Sequence, residues 1–465
     1  MKQTASTSQI SCVPLEAGAE PAPLWGGFRL ISRLRARLAG RPFMENVSIM
    51  LGGAAAGQAV SILLSPVLTR LYSPQQFGVL SVYSALLMIL VVIASLRYEL
   101  TLPMAATEAD AVNLVALCVC VLFGTTALIA AAAYAFPEGL LETLWPTPIN
   151  STYVESYRGL FILGFFCLGG YYIALYLGTR DGAFRAIART RLYQGVVGPV
   201  SQIGLALAGA GAPGLLIGSI LGQSAGTFGL FHRLLRSRSA LIGMVSWQKM
   251  SVLAKRYRRF PLIASWAALI DAAGGSQLLY LLVSVAYSAK IAGLIFLAER
   301  VVARPLSIVG TSILQVFMGE AGKTVAADPA KLKKRFYQVV SRQFLLALAW
   351  IAVSNIVAAA AFPRLFGRQW GDAVIYLQAM SIGYLAQAIV LPVFHTLQVL
   401  ERQTLAAAWQ ISRLLLVVAT FMIASRFNVS APATIFCYSA VQAVACVALL
   451  VLMAKSIEAR QRVRQ

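Results

Sequence analysis

The sequence predicts an all-α integral membrane protein, with about twelve transmembrane helices forming two pseudo-symmetric six-helix bundles around a central cavity. Three observations predict it. The 465 residues are 59% hydrophobic and 12% charged, against roughly 25% charged in an ordinary soluble domain. The apolar residues gather in runs of about 20, the length that crosses a bilayer as a helix. The Lys and Arg residues behind the net charge of +22 sit between those runs. In a soluble chain that surplus would suggest nucleic acid; here it reads as a topology signal, and no nucleic-acid partner is expected.

Residues 1–25 are rich in Ser, Thr, Ala and Pro and read as a disordered tail, without the apolar core of a signal peptide. In the basic segment 26–46, Leu30, Leu34 and Leu38 recur every four residues among Arg29, Arg33, Arg35 and Arg37. It reads either as an amphipathic helix on an anionic membrane surface or as an inside anchor for the first span. Twelve apolar spans follow, at 47–69, 78–97, 111–135, 158–178, 192–210, 213–232, 261–285, 289–317, 338–361, 373–398, 405–425 and 430–454. They divide into an N-terminal bundle (47–232), a basic cytoplasmic linker (233–260), a C-terminal bundle (261–454) and a tail (455–465).

With the N-terminus in the cytoplasm, 30 of the 39 Lys and Arg residues fall on inside segments and six on outside loops. That asymmetry places both termini inside. The longest outside connection, about 136–157, carries Glu138, Glu142 and Glu155. No extramembrane loop reaches the size of a folded domain, so no catalytic residues are assigned. Six cysteines and two histidines suggest neither a disulfide framework nor a multi-histidine metal site, and no metal or cofactor is expected.

The chain also repeats itself. Laid over itself so that Ser61 meets Ser276, Ser61-Ile62-Leu63-Leu64 falls on Ser276-Gln277-Leu278-Leu279, and Gly78-Val79-Leu80 on Gly293-Leu294-Ile295, with 6 identities in the 18 positions from 61 to 78. Six spans per half give both halves the same orientation, an architecture of transporters that hold substrate between halves near the midplane.

Ionisable groups at membrane depth are functional candidates. Asp271 lies ten residues into span seven, and Glu299 and Arg300 about eleven residues into span eight. With a helical rise of about 1.5 Å per residue, all three sit near mid-membrane. Arg304 follows one turn later on the same face, with Pro305, a kink candidate, directly after it. Two readings stand side by side. In one, the arginines form a cationic surface between the halves, suited to phosphate oxygens. In the other, Asp271 or Glu299 forms an ion pair with Arg300 that locks spans seven and eight. Arg70, Arg97 and Glu99 lie at helix ends, where charges commonly snorkel to water. Gln58 lines a cavity or bonds between helices. Arg413 is placed to snorkel inward, and His395 reads as packing or a buried hydrogen bond.

Residues 50–103 carry a resemblance: Gly57-Gln58, Pro66, Thr69-Arg70-Leu71-Tyr72, Pro74, Phe77-Gly78 and Arg97-Tyr98-Glu99. RYRRFPL (256–262) and GLIFLAERVVARPLSIVGTSILQVF (293–317) extend it. Together these stretches resemble bacterial O-antigen and polysaccharide flippases of the multidrug/oligosaccharidyl-lipid/polysaccharide exporter superfamily. The resemblance implies a transporter without covalent chemistry in the bacterial cytoplasmic (inner) membrane. It would move undecaprenyl-diphosphate-linked oligosaccharide from the inner to the outer leaflet, driven by a proton or sodium gradient. Its partners would be that lipid-linked oligosaccharide, membrane lipid, and a polysaccharide polymerase with chain-length machinery. Arg300, Arg304, Arg70 and Gln58 would then serve the substrate cavity, and Asp271, Glu299, Glu99 and Arg97 ion coupling or charge pairing. Few clusters of aromatic with acidic residues within the spans point to a sugar site. The alternatives are a cation-coupled multidrug or toxin extruder of the same superfamily and a membrane-embedded glycan polymerase or ligase.

Overall fold

A computed structural model describes residues 42–135, 151–236, 243–327 and 329–462. The segment 26–41 and most of the outer connection 136–157 lie outside the described residues. The chain divides into two units, residues 1–48 and 49–465. Of the first, only the start of α1 is described; the second holds all the remaining elements. The described residues are helical with no strand among them.

The N-terminal half runs through α1 (Pro42–Leu63), α2 (Ser65–Leu71), α3 (Pro74–Leu90), α4 (Glu108–Ala135), α5 (Ser151–Arg180), α6 (Phe184–Leu207), α7 (Gly211–Ser224) and α8 (Thr227–Arg236). A linker helix α9 (Trp247–Arg256) packs on α4. The C-terminal half holds α10 (Ser265–Gly274), α11 (Gln277–Ala286), α12 (Ala289–Ala298), α13 (Arg304–Ala327), α14 (Pro329–Phe366), α15 (Ala373–Val390), a short α16 (Thr396–Val399), α17 (Gln403–Arg426) and α18 (Ala431–Arg462).

Nine of the described helices are long and apolar enough to cross a membrane singly, and the broken helix Phe260–Gly274 plus Gln277–Ala286, bent by 55°, makes a tenth. The other two expected spans are helices of sufficient length interrupted by polar residues. One is α6, with Arg191, Gln194 and Gln202; the other is α12–α13, with Glu299, Arg300 and Arg304. Between α12 and α13 the helix widens into a π-turn over Glu299–Ala303. Pro305 has no N–H to offer the carbonyl four residues back, and Trp350 Nε1 donates to the nearby Val302 carbonyl at 3.0 Å.

The repeat is realised as a two-fold contact between halves, where α3 packs along α12. A Cβ on Gly78 would collide with the Ala289 carbonyl oxygen, and one on Gly293 with that of Pro74. In the alignment of the repeat, Gly293 is the counterpart of Gly78, and Ala289 the counterpart of Pro74. Glycine is required at both positions because small residues let membrane helices approach backbone to backbone. Both helices start alike. The Ser73 side chain accepts from Gln76 N at 3.3 Å, and Ser288 from Ile291 N at 3.3 Å, each satisfying a free donor of the first turn. The residues before these caps also match. Tyr72 donates to the Gln202 carbonyl at 2.7 Å, and Tyr287 to that of Val429 at 2.9 Å.

The crossing is sealed by the loop after α14. The buried Trp370 packs its ring 5.0 Å from that of Phe77, and its Nε1 donates to the Thr69 carbonyl at 2.8 Å. Gln369 Nε2 donates to the same carbonyl at 3.0 Å. The halves are therefore joined firmly at one end.

Candidate functional site

A cavity of about 830 Å³ lies between the halves. It begins a turn or so past the α3–α12 crossing, at Leu80 and Phe296, and follows α12–α13 as far as Ser307. From Gly293 to Ser307 that is about 20 Å of helix. Its charged lining residues are Arg191, Arg300, Arg304 and Glu299.

Arg300 is buried, and its Nη2 donates across the interface to Ser61 Oγ at 2.6 Å and to the Ser61 carbonyl at 3.2 Å. Its guanidinium is thereby fixed to α1 with other donors left over. Arg304 stands one turn further along, exposed to the cavity, with its guanidinium carbon 6.0 Å from the Phe296 ring centroid. Gln58 lines the opposite wall.

Glu299 points elsewhere. The Tyr280 hydroxyl donates to Glu299 Oε2, and the Ser276 hydroxyl donates to Oε1 at 3.2 Å. Consecutive helical residues point about 100° apart, so Glu299 faces α11 while Arg300 faces α1. The expected ion pair on Arg300 is accordingly not formed among the described residues. Asp271 does not supply it either: it is exposed, accepts from Gln410 Nε2 at 2.8 Å, and does not line the cavity.

Three other expected residues also lie away from the cavity. Arg70 is exposed at the end of α2, nine residues or about 13 Å of helix beyond Ser61, and reaches the Arg364 carbonyl at 3.4 Å. Arg97 and Glu99 pair with each other at 3.7 Å in an irregular turn at the end of span two. Glu99 is buried and accepts from Ser95 Oγ at 2.5 Å. Leu96 and Arg97 hold φ of 49° and 64° there, a left-handed geometry that is strained for any residue but glycine. Arg413 does not snorkel: its Nη2 donates at 2.5 Å to the Gly274 carbonyl, at the break of span seven.

The sequence reading missed Arg191, Gln194 and Gln202 on α6, Tyr171 and Tyr172 on α5, and Gln223 on α7, all of which line the cavity. On α6 the lining residues are Arg191, Gln194, Gly195, Gly198, Pro199 and Gln202. They recur at three- and four-residue spacing, which is one face of a helix. That polar and small stripe is visible in the sequence, but Arg191 reads as part of a cytoplasmic loop when basic residues are only counted.

The sequence profile of a family described as "Polysaccharide biosynthesis protein" matches residues 67–375. No curated protein matches the chain. Among solved structures, the chain is similar to an inward-facing multidrug resistance MATE family transporter of the MOP superfamily. The TM-score is 0.63 at 14% identity, covering 90% of this chain and 96% of that one. An outward-facing multidrug resistance MATE family transporter gives 0.61 at 13% identity, with coverage of 90% and 96%. A MOP superfamily transporter from Pyrococcus furiosus, described by a binding pocket of reverse polarity, gives 0.57 at 14% identity, with coverage of 90% and 95%. These likenesses establish the fold alone: the chain shares the helical architecture of MATE family proteins.

Proposed function

The chain belongs to the polysaccharide biosynthesis protein family, and from that premise we propose that it is a flippase for lipid-linked oligosaccharide. Its cargo would be an undecaprenyl-diphosphate-linked repeat unit of an O-antigen or exopolysaccharide. The protein would carry it from the inner to the outer leaflet of the bacterial cytoplasmic membrane by alternating access, without covalent chemistry. A polysaccharide polymerase and its chain-length machinery would take up the product.

The observation that carries this reading is the charge of the cavity. Arg191, Arg300 and Arg304 line it, while Glu299 is engaged by Tyr280 and Ser276. A diphosphate cannot cross hydrocarbon bare. Arginine offers a planar fork that binds phosphate oxygens two at a time. A cationic-drug extruder needs an open carboxylate in its cavity; the carboxylate that lines this one is already held, which favours an anionic cargo.

The distribution of basic residues favours an outer position for the α3–α12 crossing. The cavity then faces the cytoplasm, where lipid-linked units are made. A proton or sodium gradient would supply the work, with Asp271 and the Arg97–Glu99 pair as the carboxylate sites outside the cavity available for coupling.

The test is genetic. In a deletion strain, Arg300→Ala at normal protein level should leave the surface without polysaccharide and accumulate lipid-linked units on the inner leaflet. Full restoration of surface polysaccharide by that variant would refute the escort of charge by Arg300.

A further inference from the structure

The two walls of the cavity differ in kind. On the C-terminal side, Arg300 and Arg304 stand on one helical face, and Glu299, Gln277, Gln387 and Tyr384 line the cavity beside them. On the N-terminal side a single cation, Arg191, accompanies neutral polar groups of α5–α7: Gln194, Gln223 and the largely buried Gln202, with Tyr171 and Tyr172 beside them. We infer that the N-terminal half holds the glycan, by hydrogen bonds from sugar hydroxyl and amide groups to these glutamines and by ring contact with the tyrosines, while the diphosphate lies against the C-terminal half. This inference rests on the flippase reading and adds an orientation and a division of labour to it.

Four observations support it. First, the glutamines are oriented. Gln194 Nε2 donates to the Gln223 carbonyl at 2.8 Å, and Gln202 Nε2 to the Leu215 carbonyl at 3.1 Å. A main-chain carbonyl accepts only from the amide nitrogen, so the flip of each side chain is fixed. The side-chain oxygens are left as acceptors, and sugar O–H and acetamido N–H groups are donors.

Second, an acceptor on this wall lacks a donor. Gln223 Nε2 donates to Ser219 Oγ at 3.0 Å, while its Oε1 is buried with no hydrogen-bond partner. Such a group is costly, and because it is closed off from the cavity a ligand meets it only once the side chain turns.

Third, the wall is flat enough for rings. A Cβ on Gly222 would lie 2.6 Å from Gly198 Cα, and one on Gly218 would lie 2.5 Å from Gln202 Cγ. The α6 and α7 backbones therefore meet directly, with Gln202 buried against Gly218, and the larger groups left on this face are Arg191, Gln194 and Gln223. Fourth, Tyr171 and Tyr172 bring aromatic faces with polar tips, which suit a surface that is apolar on one side and hydroxylated at its rim. Because the α6 stripe begins with Arg191, the glycan it fits is neutral or acidic rather than basic.

The test uses the purified full chain in detergent micelles and two probes: a short-chain polyprenyl diphosphate without sugar, and the same diphosphate bearing an oligosaccharide with acetamido groups. Gln194→Met removes an acceptor from α6, and Tyr172→Leu removes a ring from α5. Each should weaken the glycosylated probe roughly tenfold, the scale of one or two hydrogen bonds, and leave the bare probe within about twofold. Arg304→Gln should weaken both probes by the same factor. Retained binding of the bare probe shows that a variant is folded, and thermal melting in the same detergent checks it independently. The inference is overturned if a variant of unchanged melting temperature weakens both probes equally or neither. If the wild-type chain fails to bind even the bare diphosphate, the flippase reading itself has failed.

Discussion

Ser61 and Ser276, equivalent positions of the two halves in the internal repeat, hold opposite charges from neighbouring residues of one helix. Ser61 Oγ accepts from Arg300 at 2.6 Å, while Ser276 Oγ donates to Glu299 at 3.2 Å. The duplication supplied one hydroxyl twice, and a hydroxyl can accept from a cation or donate to an anion. The two serines thus keep apart a pair of charges that would otherwise neutralise each other. The cavity remains cationic because of it.

The first prediction concerns that separation. Tyr280→Phe combined with Ser276→Ala removes both donors from Glu299 and frees it to turn toward Arg300. Diphosphate binding by the purified protein should weaken about tenfold, the effect of one charge-assisted bond. Adding Glu299→Gln should restore binding, since the released anion is then gone. A triple variant as weak as the double one would show that Glu299 is not the cause.

The crossing of α3 and α12 gives a second. Because Gly78 and Gly293 make equivalent contacts, Gly78→Val and Gly293→Val should lower the melting temperature by similar amounts. Each corresponds to about 1–3 kcal/mol of overpacking. Gly52, which meets nothing within 4 Å, should tolerate alanine with little change. Thermal melting in detergent reads all three; a tolerant Gly293 beside an intolerant Gly78 would contradict the two-fold contact.

A third prediction fixes the direction of the cavity. Cysteines placed at Ser84 and Ser307, both lining it, should react with a membrane-impermeant maleimide added from the cytoplasmic side and stay protected in intact cells. A cysteine in place of the exposed Arg364, beyond the crossing, should show the reverse. Labelling of Ser84→Cys from outside alone would invert the orientation.

Much of the fold was legible because lipid imposes a single strong rule: apolar runs of helical length, punctuated by charge. The repeat was legible at Ser73 and Gly78 because one caps a helix and the other lets backbones touch, and at Ser61 and Tyr72 because their hydroxyls bond to distant parts of the chain. Arg300 and Arg304 were legible because charge at that depth is expensive. The partners were not. Ser61 meets Arg300 across 239 positions, and nothing local separates Glu299, held on α11, from a carboxylate free to pair. Asp271 was a candidate by depth and Arg70 by motif, yet the direction of the Asp271 side chain and the position of Arg70 at a helix end placed both elsewhere. The glutamine wall was hidden for a related reason: its residues come from different spans and converge only in three dimensions.

A fourth prediction follows from ionic contact in the cavity. Binding of a bare polyprenyl diphosphate should weaken as salt rises from low to physiological strength, because the site opens to water. Arg304→Gln should flatten that dependence more than Gln58→Met, since only the first removes charge. Equal slopes would mean that the arginine does not face the ligand.

The central claim is tested most directly by translocation in a defined membrane. The purified chain would be reconstituted into proteoliposomes carrying a fluorescent diphosphate-linked oligosaccharide lipid, with an ion gradient imposed. The fraction of label reachable by an impermeant quencher would then be followed with time. The account predicts that wild-type protein speeds the exchange of label between leaflets and that an Arg300→Gln, Arg304→Gln double variant of unchanged melting temperature does not. Label that moves no faster with wild-type protein than in protein-free vesicles, or equally fast with the double variant, would contradict it.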